Sequence, residues 1–219
     1  GTTTGVVWSF ATATASWTRQ LGSNDWDYAY VVATDANGNI YAAGKTDGGL
    51  DGNINAGSAD LFVVKYDSAG LKQWTRQSGT SASEYANGVA TDTAGNIYVA
   101  GNTSGGLDGN TNAGSGDLFV VKYDSAGVKQ WTRQLGTSAY DAASGVATDT
   151  TGNIYVAGTT DGGLDGNSNS GGEDLFVVKY NSDGVKQWTR QLDSTAYDYA
   201  WAVATDTAGN IYVAGKTDG

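Results

Sequence analysis

The tetrapeptide WTRQ occurs at Trp17, Trp74, Trp131 and Trp188, each 57 residues after the last. A chain with a fixed period of this size folds as an array of one repeated supersecondary unit, so the architecture follows from what that unit can be. The same spacing carries Asp35, Asp92, Asp149 and Asp206, then Gly38, Gly95, Gly152 and Gly209, then Tyr41, Tyr98, Tyr155 and Tyr212. The units that begin at Trp74 and Trp131 agree at 43 of 57 positions. One backbone must therefore serve both, and changes such as Tyr85 to Ala142 and Gly116 to Glu173 are expected in or beside loops on one face.

Within the third unit the hydrophobic pattern resolves into four short strands. The first covers 143–149, and the tract DTTGN (149–153) has the composition of a hairpin turn with glycine in the left-handed position. The second covers 154–159. A long Gly, Asn and Asp-rich connection at 160–173 leads to DLFVVKY (174–180), an apolar run of the kind buried on both faces. The fourth, 185–192, alternates Lys186, Trp188 and Arg190 with Gln187, Thr189 and Gln191, as suits an outer strand whose charges discourage edge-to-edge pairing. Helical periodicity is absent, and 33 glycines with no proline point to many tight turns.

Four short antiparallel strands repeated at a constant period are the blade of a β-propeller, so the fold class is all-β. The segments GVATDTAGNIYVAG (88–101), DLFVVKYDSAG (117–127) and KQWTRQLGTSA (129–139) resemble the bacterial SBBP-type β-propeller repeat, with a looser likeness to NHL-repeat blades. The resemblance extends from Ser16 onward. It implies an innermost GVATD strand, an outermost WTRQ strand, and a place in a secreted or surface protein without a settled activity.

By the 57-residue spacing the chain starts at a third strand and stops after a second. The two ends complement one another, which predicts blades at 22–77, 78–134 and 135–191 and a composite blade from 192–219 and 1–21. In that four-bladed ring 6–10 would lie beside 211–215. The rival arrangements are a window on a seven-bladed ring and an eight-bladed pairing of two chains, so self-association stays open. Lack of any methionine leads to the expectation that the chain is a mature or excised piece of something longer.

Twelve Lys and Arg against 23 Asp and Glu give a net charge of −11, which repels nucleic-acid phosphate and anionic lipid. No run is long enough to span a membrane. A cation, a glycan or a protein surface is the expected partner. With no His and no Cys, imidazole bases, thiol nucleophiles and His-based metal sites are excluded, leaving carboxylate, Lys or Tyr chemistry.

Alternating turns put the long connection on the same face as the start of each first strand, and acidic residues gather there. The long loops carry Asp51, Asn53, Asn55 and Asp60; Asp108, Asn110, Asn112 and Asp117; Asp165, Asn167, Asn169 and Asp174. Oxygen side chains at positions 1, 3 and 5, with a carboxylate nine residues after the first, suit a hard cation such as Ca²⁺. The same residues are also turn formers that cap their own backbone. A second constellation, Asp27, Glu84, Asp141 and Asp198, recurs in all four units after Trp26, Ser83, Tyr140 and Tyr197. In a closed ring it would converge at the channel mouth to hold a cation or a sugar, or to act as paired glycosidase carboxylates. The structural alternative is a carboxylate that accepts hydrogen bonds from loop amides. Trp17, Trp74, Trp131 and Trp188 with Arg19, Arg76, Arg133 and Arg190 are expected to cover blade edges, and Lys65, Lys122 and Lys179 to pair with carboxylates. The expected function is a non-enzymatic extracellular scaffold or adhesion and recognition surface; a carbohydrate-binding module comes second, and a carboxylate-dependent glycan hydrolase or lyase third.

Overall fold

The computed structural model describes residues 6–11, 16–192 and 194–218. Three complete four-stranded antiparallel sheets follow one another. The first blade is β3 (Asp27–Thr34), β4 (Ile40–Thr46), β5 (Asp60–Tyr66) and β6 (Lys72–Ser78). The second is β7 (Glu84–Thr91), β8 (Ile97–Thr103), β9 (Asp117–Tyr123) and β10 (Lys129–Leu135). The third is β11 (Asp141–Thr148), β12 (Ile154–Thr160), β13 (Asp174–Tyr180) and β14 (Lys186–Gln191). In each, the strands are ordered as in the sequence, and the long connection holds one 3₁₀ turn, Leu50–Gly52, Leu107–Gly109 or Leu164–Gly166.

The apolar second and third strands are buried on both faces because each blade packs between two others. Tyr41, Ala43, Leu61 and Val63 of blade 1 meet Ile97, Val99, Phe119, Val121 and Tyr123 of blade 2. Tyr98, Ala100, Leu118 and Val120 repeat the contact one blade later. The tryptophans belong to this packing, with Trp74 6.1 Å from Tyr41 and Trp131 6.1 Å from Tyr98 between ring centroids. Arg76 and Arg133 lie over those indoles and donate from Nε to Gly127 and Gly184 carbonyls of the following blade. The lysines differ from expectation. Lys65 and Lys122 sit over the Tyr41 and Tyr98 rings and donate to the Ser125 and Ser182 carbonyls rather than to carboxylates.

The four inner strands are tied together around the axis by threonine. Thr91 Oγ1 donates to Thr34 O at 3.0 Å, Thr148 to Thr91 O at 2.9 Å and Thr205 to Thr148 O at 2.7 Å.

The expected closure of the ring is not formed. Among the described residues β1 (Val6–Ala11) pairs only with β2 (Ser16–Leu21), and β15 (Asp198–Thr205) only with β16 (Ile211–Thr217), so 6–10 and 211–215 are not hydrogen-bonded to one another as the composite blade would require. The β1–β2 hairpin is instead seated on blade 1 as the outer half of a preceding blade, through Trp17 against Tyr66 and Arg19 Nε to Gly70 O. β15–β16 lies on blade 3 as the inner half of a following one, and Tyr212 is 57% exposed where Tyr41 and Tyr98 are at 0%.

The turn between first and second strands shows why its residues repeat. Asp149 accepts hydrogen bonds from the amides of Thr151 and Asn153, from Thr151 Oγ1, Asn153 Nδ2 and the Tyr155 hydroxyl, and Gly152 completes the turn at φ 82°. Burial pushes this carboxyl up, but the hydrogen bonds outweigh it and hold Asp149 well below the usual range. Asp35 is lowered in the same way. A carboxylate whose value is depressed on folding contributes stability that is complete above its unfolded value of about 3.9 and is lost as pH falls through the folded one. Asp149→Asn should therefore cost about 1–3 kcal/mol near pH 7. In thermal unfolding followed from about pH 5 to pH 2, its melting temperature should fall less steeply than that of the wild type.

Candidate binding face

The four repeated carboxylates do not form an open ring. Asp27, Glu84, Asp141 and Asp198 are all buried, and each is held by the loop just before its strand. Asp27 accepts from the Ser23 amide at 2.6 Å and from Thr46 Oγ1 at 2.5 Å. Glu84 accepts from Thr80 N, Thr80 Oγ1 and Thr103 Oγ1, each at 2.7 Å. Asp141 repeats this with Thr137 and Thr160, and Asp198 accepts from Ser194 Oγ at 2.5 Å. A Ser or Thr four residues earlier supplies the partner every time, so these groups brace the junction between blades.

The long loops are likewise bonded mostly to themselves. Asp51, Asp108 and Asp165 adopt left-handed backbone at φ 53–57° and pair with Lys72, Lys129 and Lys186. Thr132 and Thr189 hydroxyls add hydrogen bonds to Asp108 and Asp165. Asn53, Asn110 and Asn167 donate to the carbonyls of Leu50, Leu107 and Leu164. Asn55 and Asn112 donate to Asp47 O and Ser104 O, and Asn169 to Gly172 O. Asp60, Asp117 and Asp174 each accept from a glutamine, Gln77, Gln134 or Gln191. The other oxygen of each, Oδ1 of Asp60, Asp117 and Asp174, is buried without a hydrogen-bond partner among the described residues, and those of Asp60 and Asp117 are packed on Gly79 and Gly136, where a Cβ would come within 2.0 and 2.1 Å. Among the described residues no three acidic side chains gather as cation ligands. This donor set does not fit a calcium cage, because the asparagines present amide nitrogens to the backbone and the first aspartate is committed to a lysine.

What remains available on the loop face is a different set. The pairing of β3 with β4 skips Tyr30, that of β7 with β8 skips Asn87, that of β11 with β12 skips Ser144, and that of β15 with β16 skips Trp201. Each inner strand thus carries a one-residue bulge, which re-aims the extra side chain. Opposite it a glycine is obligatory, since a Cβ on Gly44, Gly101 or Gly158 would lie 1.8, 1.7 or 1.9 Å from the carbonyl oxygen of Tyr28, Tyr85 or Ala142. The four bulge residues line a common cavity of about 210 Å³ between the inner strands. Beside it, Tyr30, Tyr85, Asn87, Asn102 and Tyr140 line a second cavity, of about 320 Å³ and wide open to solvent. Aromatic side chains continue outward, with Trp26 stacked on Tyr28 and Tyr28 on Tyr30, both at 6.2 Å. Lys45, paired with Asp47 at 2.9 Å, lies over the Tyr28 and Tyr85 rings.

This face is where the repeats diverge. Of the fourteen differences between the units starting at Trp74 and Trp131, all but those at 94, 124 and 126 lie on the loop side of the blade or on the loop-side half of its inner strands. Tyr30, Asn87 and Asn102 were not singled out from the sequence; the signal was their departure from an otherwise constant register.

The SBBP β-propeller repeat pattern matches residues 16–51, 73–108, 130–165 and 187–219. The chain belongs to the SBBP β-propeller repeat family. Within that family assignment, 173 residues are 32% identical to the regulatory protein FlaEY of Caulobacter vibrioides, covering 70% of this chain and 18% of that protein. An uncharacterised WD repeat-containing protein of Acanthamoeba polyphaga mimivirus is 27% identical over 222 residues, 78% of this chain and 16% of its own length. The chain thus spans less than a fifth of either relative. A protein of unknown function from Bacteroides caccae (13% identity, TM-score 0.48) and a luciferin-regenerating enzyme (16%, TM-score 0.42) overlap 90% and 84% of this chain and 56% and 52% of their own. Among the described residues no helix is long and apolar enough to cross a membrane.

With the first aspartate of each loop held by a lysine and the asparagines by the backbone, thermal unfolding in millimolar calcium should match that in EDTA. A calcium-dependent rise that disappears in Asp108→Ala would reinstate a cation site there.

Proposed function

We propose that this SBBP repeat chain is a non-enzymatic recognition module of an extracellular or cell-surface protein, with the aromatic and amide face at the inner-strand bulges as its binding surface. One observation carries the reading: the bonds of the turns and blade junctions recur in every repeat, whereas most residues that differ between repeats lie in the long loops and around the inner-strand bulges, on one face. Repeat scaffolds separate stability from recognition in this way, because function resides in sites grafted on the fold. The surface placement rests on what the resemblance to the SBBP-type repeat implies. A carboxylate-driven hydrolase or lyase gains no support, since the repeated carboxylates are buried and already accept two or more hydrogen bonds from their own loops in blades 1–3.

The repeats themselves provide the controls. Tyr30→Ser, Tyr85→Ala and Tyr140→Ser each introduce the residue that another blade carries at that position, as at Ser144, Ala142 and Ser83. Against immobilised glycans, peptides and small organic cations, the wild type should retain at least one class and the triple variant should lose it, with a melting temperature within a few degrees. A triple variant that binds everything the wild type binds, or turnover of chromogenic glycosides by the wild type, would contradict the reading.

A further inference from the structure

Three consecutive blades meet at the 320 Å³ cavity: Tyr30 comes from the first, Tyr85, Asn87 and Asn102 from the second, and Tyr140 from the third. None of the five carries a formal charge. An anion would find no cationic donor among them. A cation would have to compete with Lys45, whose ammonium lies 5.6 Å from the centre of the Tyr85 ring. Burial pushes the Tyr30 and Tyr140 hydroxyls above the ordinary tyrosine range, so both stay neutral donors and acceptors at physiological pH.

The amide pair gives the cavity its asymmetry. Asn87 Nδ2 donates to Asn102 Oδ1 at 3.2 Å and to Ala143 O at 3.0 Å. Both amide hydrogens of Asn87 are used, which leaves its Oδ1 as an acceptor and the Nδ2 of Asn102 as a donor, side by side at the cavity wall. A vicinal diol offers the matching donor and acceptor. Equivalent positions elsewhere hold Tyr30 with Lys45, Ser144 with Thr159, and Trp201 with Lys216, so the pair exists once in the chain. From the cavity the rings of Tyr30, Tyr28 and Trp26 run outward as a stack with interplanar angles of 17–19°. Trp26 is 60% exposed and Tyr30 49%. Aromatic faces with an open polar cavity at one end suit a chain of rings that each have an apolar face and hydroxyl edges.

We infer that this cavity and its aromatic track bind a neutral oligosaccharide, one sugar unit hydrogen-bonded by Asn87 and Asn102 among the three tyrosines and further units stacked toward Trp26. This deepens the recognition reading and rests on it.

Calorimetric titration with cellohexaose, chitohexaose and mannohexaose tests the assignment, with tetramethylammonium chloride and an acidic hexasaccharide as rival ligands. At least one neutral hexasaccharide should bind the wild-type chain. Asn87→Ser with Asn102→Thr, the residues of blade 3, should weaken it by about tenfold or more while leaving the melting temperature within a few degrees. Trp26→Ser should weaken the hexasaccharide more than the corresponding disaccharide. The assignment is overturned if no neutral glycan binds at about 10 mM, or if the amide variant binds as the wild type does. Binding of tetramethylammonium or the acidic sugar that is lost in the amide variant, with neutral sugars inert, would overturn the neutral-sugar assignment and leave the recognition reading standing. A face whose variants alter binding of no probe would end both.

Discussion

The inner strand of every blade carries one residue too many for its partner, and the organisation of the binding face depends on that mismatch. The carbonyl two residues before the extra one, that of Tyr28, Tyr85 or Ala142, lies against the second strand in space that only a glycine leaves free at Gly44, Gly101 and Gly158. A side chain there would collide with backbone, so the bulge and the glycine require each other. The bulge breaks the period-2 alternation by one step and turns Tyr30, Asn87, Ser144 and Trp201 into the space between the inner strands. Without it, these positions would contribute to the pleat and the loop face would have no interior.

Around that mismatch the framework is satisfied by short-range and blade-to-blade contacts that recur with the period. Asp, Asn and Tyr close the first turn; a buried carboxylate joins each inner strand to the loop before it; Lys65 and Lys122 reach the next blade's turn across a tyrosine ring. Every one of these groups has its partner at a fixed sequence offset, so a 57-residue repeat copies the interaction along with the residues. Other side chains differ between blades and make bonds that do not recur, as Asn87 does with Asn102 and Ala143 O where the equivalent positions hold Tyr30 with Lys45 and Ser144 with Thr159. The constant residues are therefore mostly those whose partners recur with the period.

Much of this was legible in the sequence, for identifiable reasons. The third strand, DLFVVKY, has an unbroken apolar run that only a doubly buried strand explains, and its observed limits, Asp174–Tyr180, are those its pattern predicts. The divergence of Tyr85 from Ala142 and of Gly116 from Glu173 marks the variable face in the sequence itself. The bulge was not legible, because it shows only in the register of the first strand against the second, which the residues of one strand do not reveal. The oxygen spacing of the long loops suggested a cation, but Asp108 is held by Lys129, twenty-one residues away, and Asn110 by its own turn. Spacing alone could not separate a ligand set from a self-capped loop. Of the two readings the sequence left for Glu84 and Asp141, the structure has the carboxylate bonded to loop amides, and Thr80 and Thr137, four residues earlier, are its partners. Ring closure was inferred from complementary ends, whereas each half-blade is seated on its own neighbour through contacts such as Trp17 on Tyr66.

The bulge can be tested directly because the chain contains no cysteine. If the extra residue of each inner strand is turned into the central space, the double variant Asn87→Cys/Ser144→Cys should be joined within one monomer by a short bis-maleimide, as its two side chains belong to one cavity. The pair one step earlier, Ala86→Cys/Ala143→Cys, should stay unreactive, since both alanines are at 0% exposure. Reaction at 86 and 143 in place of 87 and 144 would mean that the strands pair without a bulge, and would contradict the account.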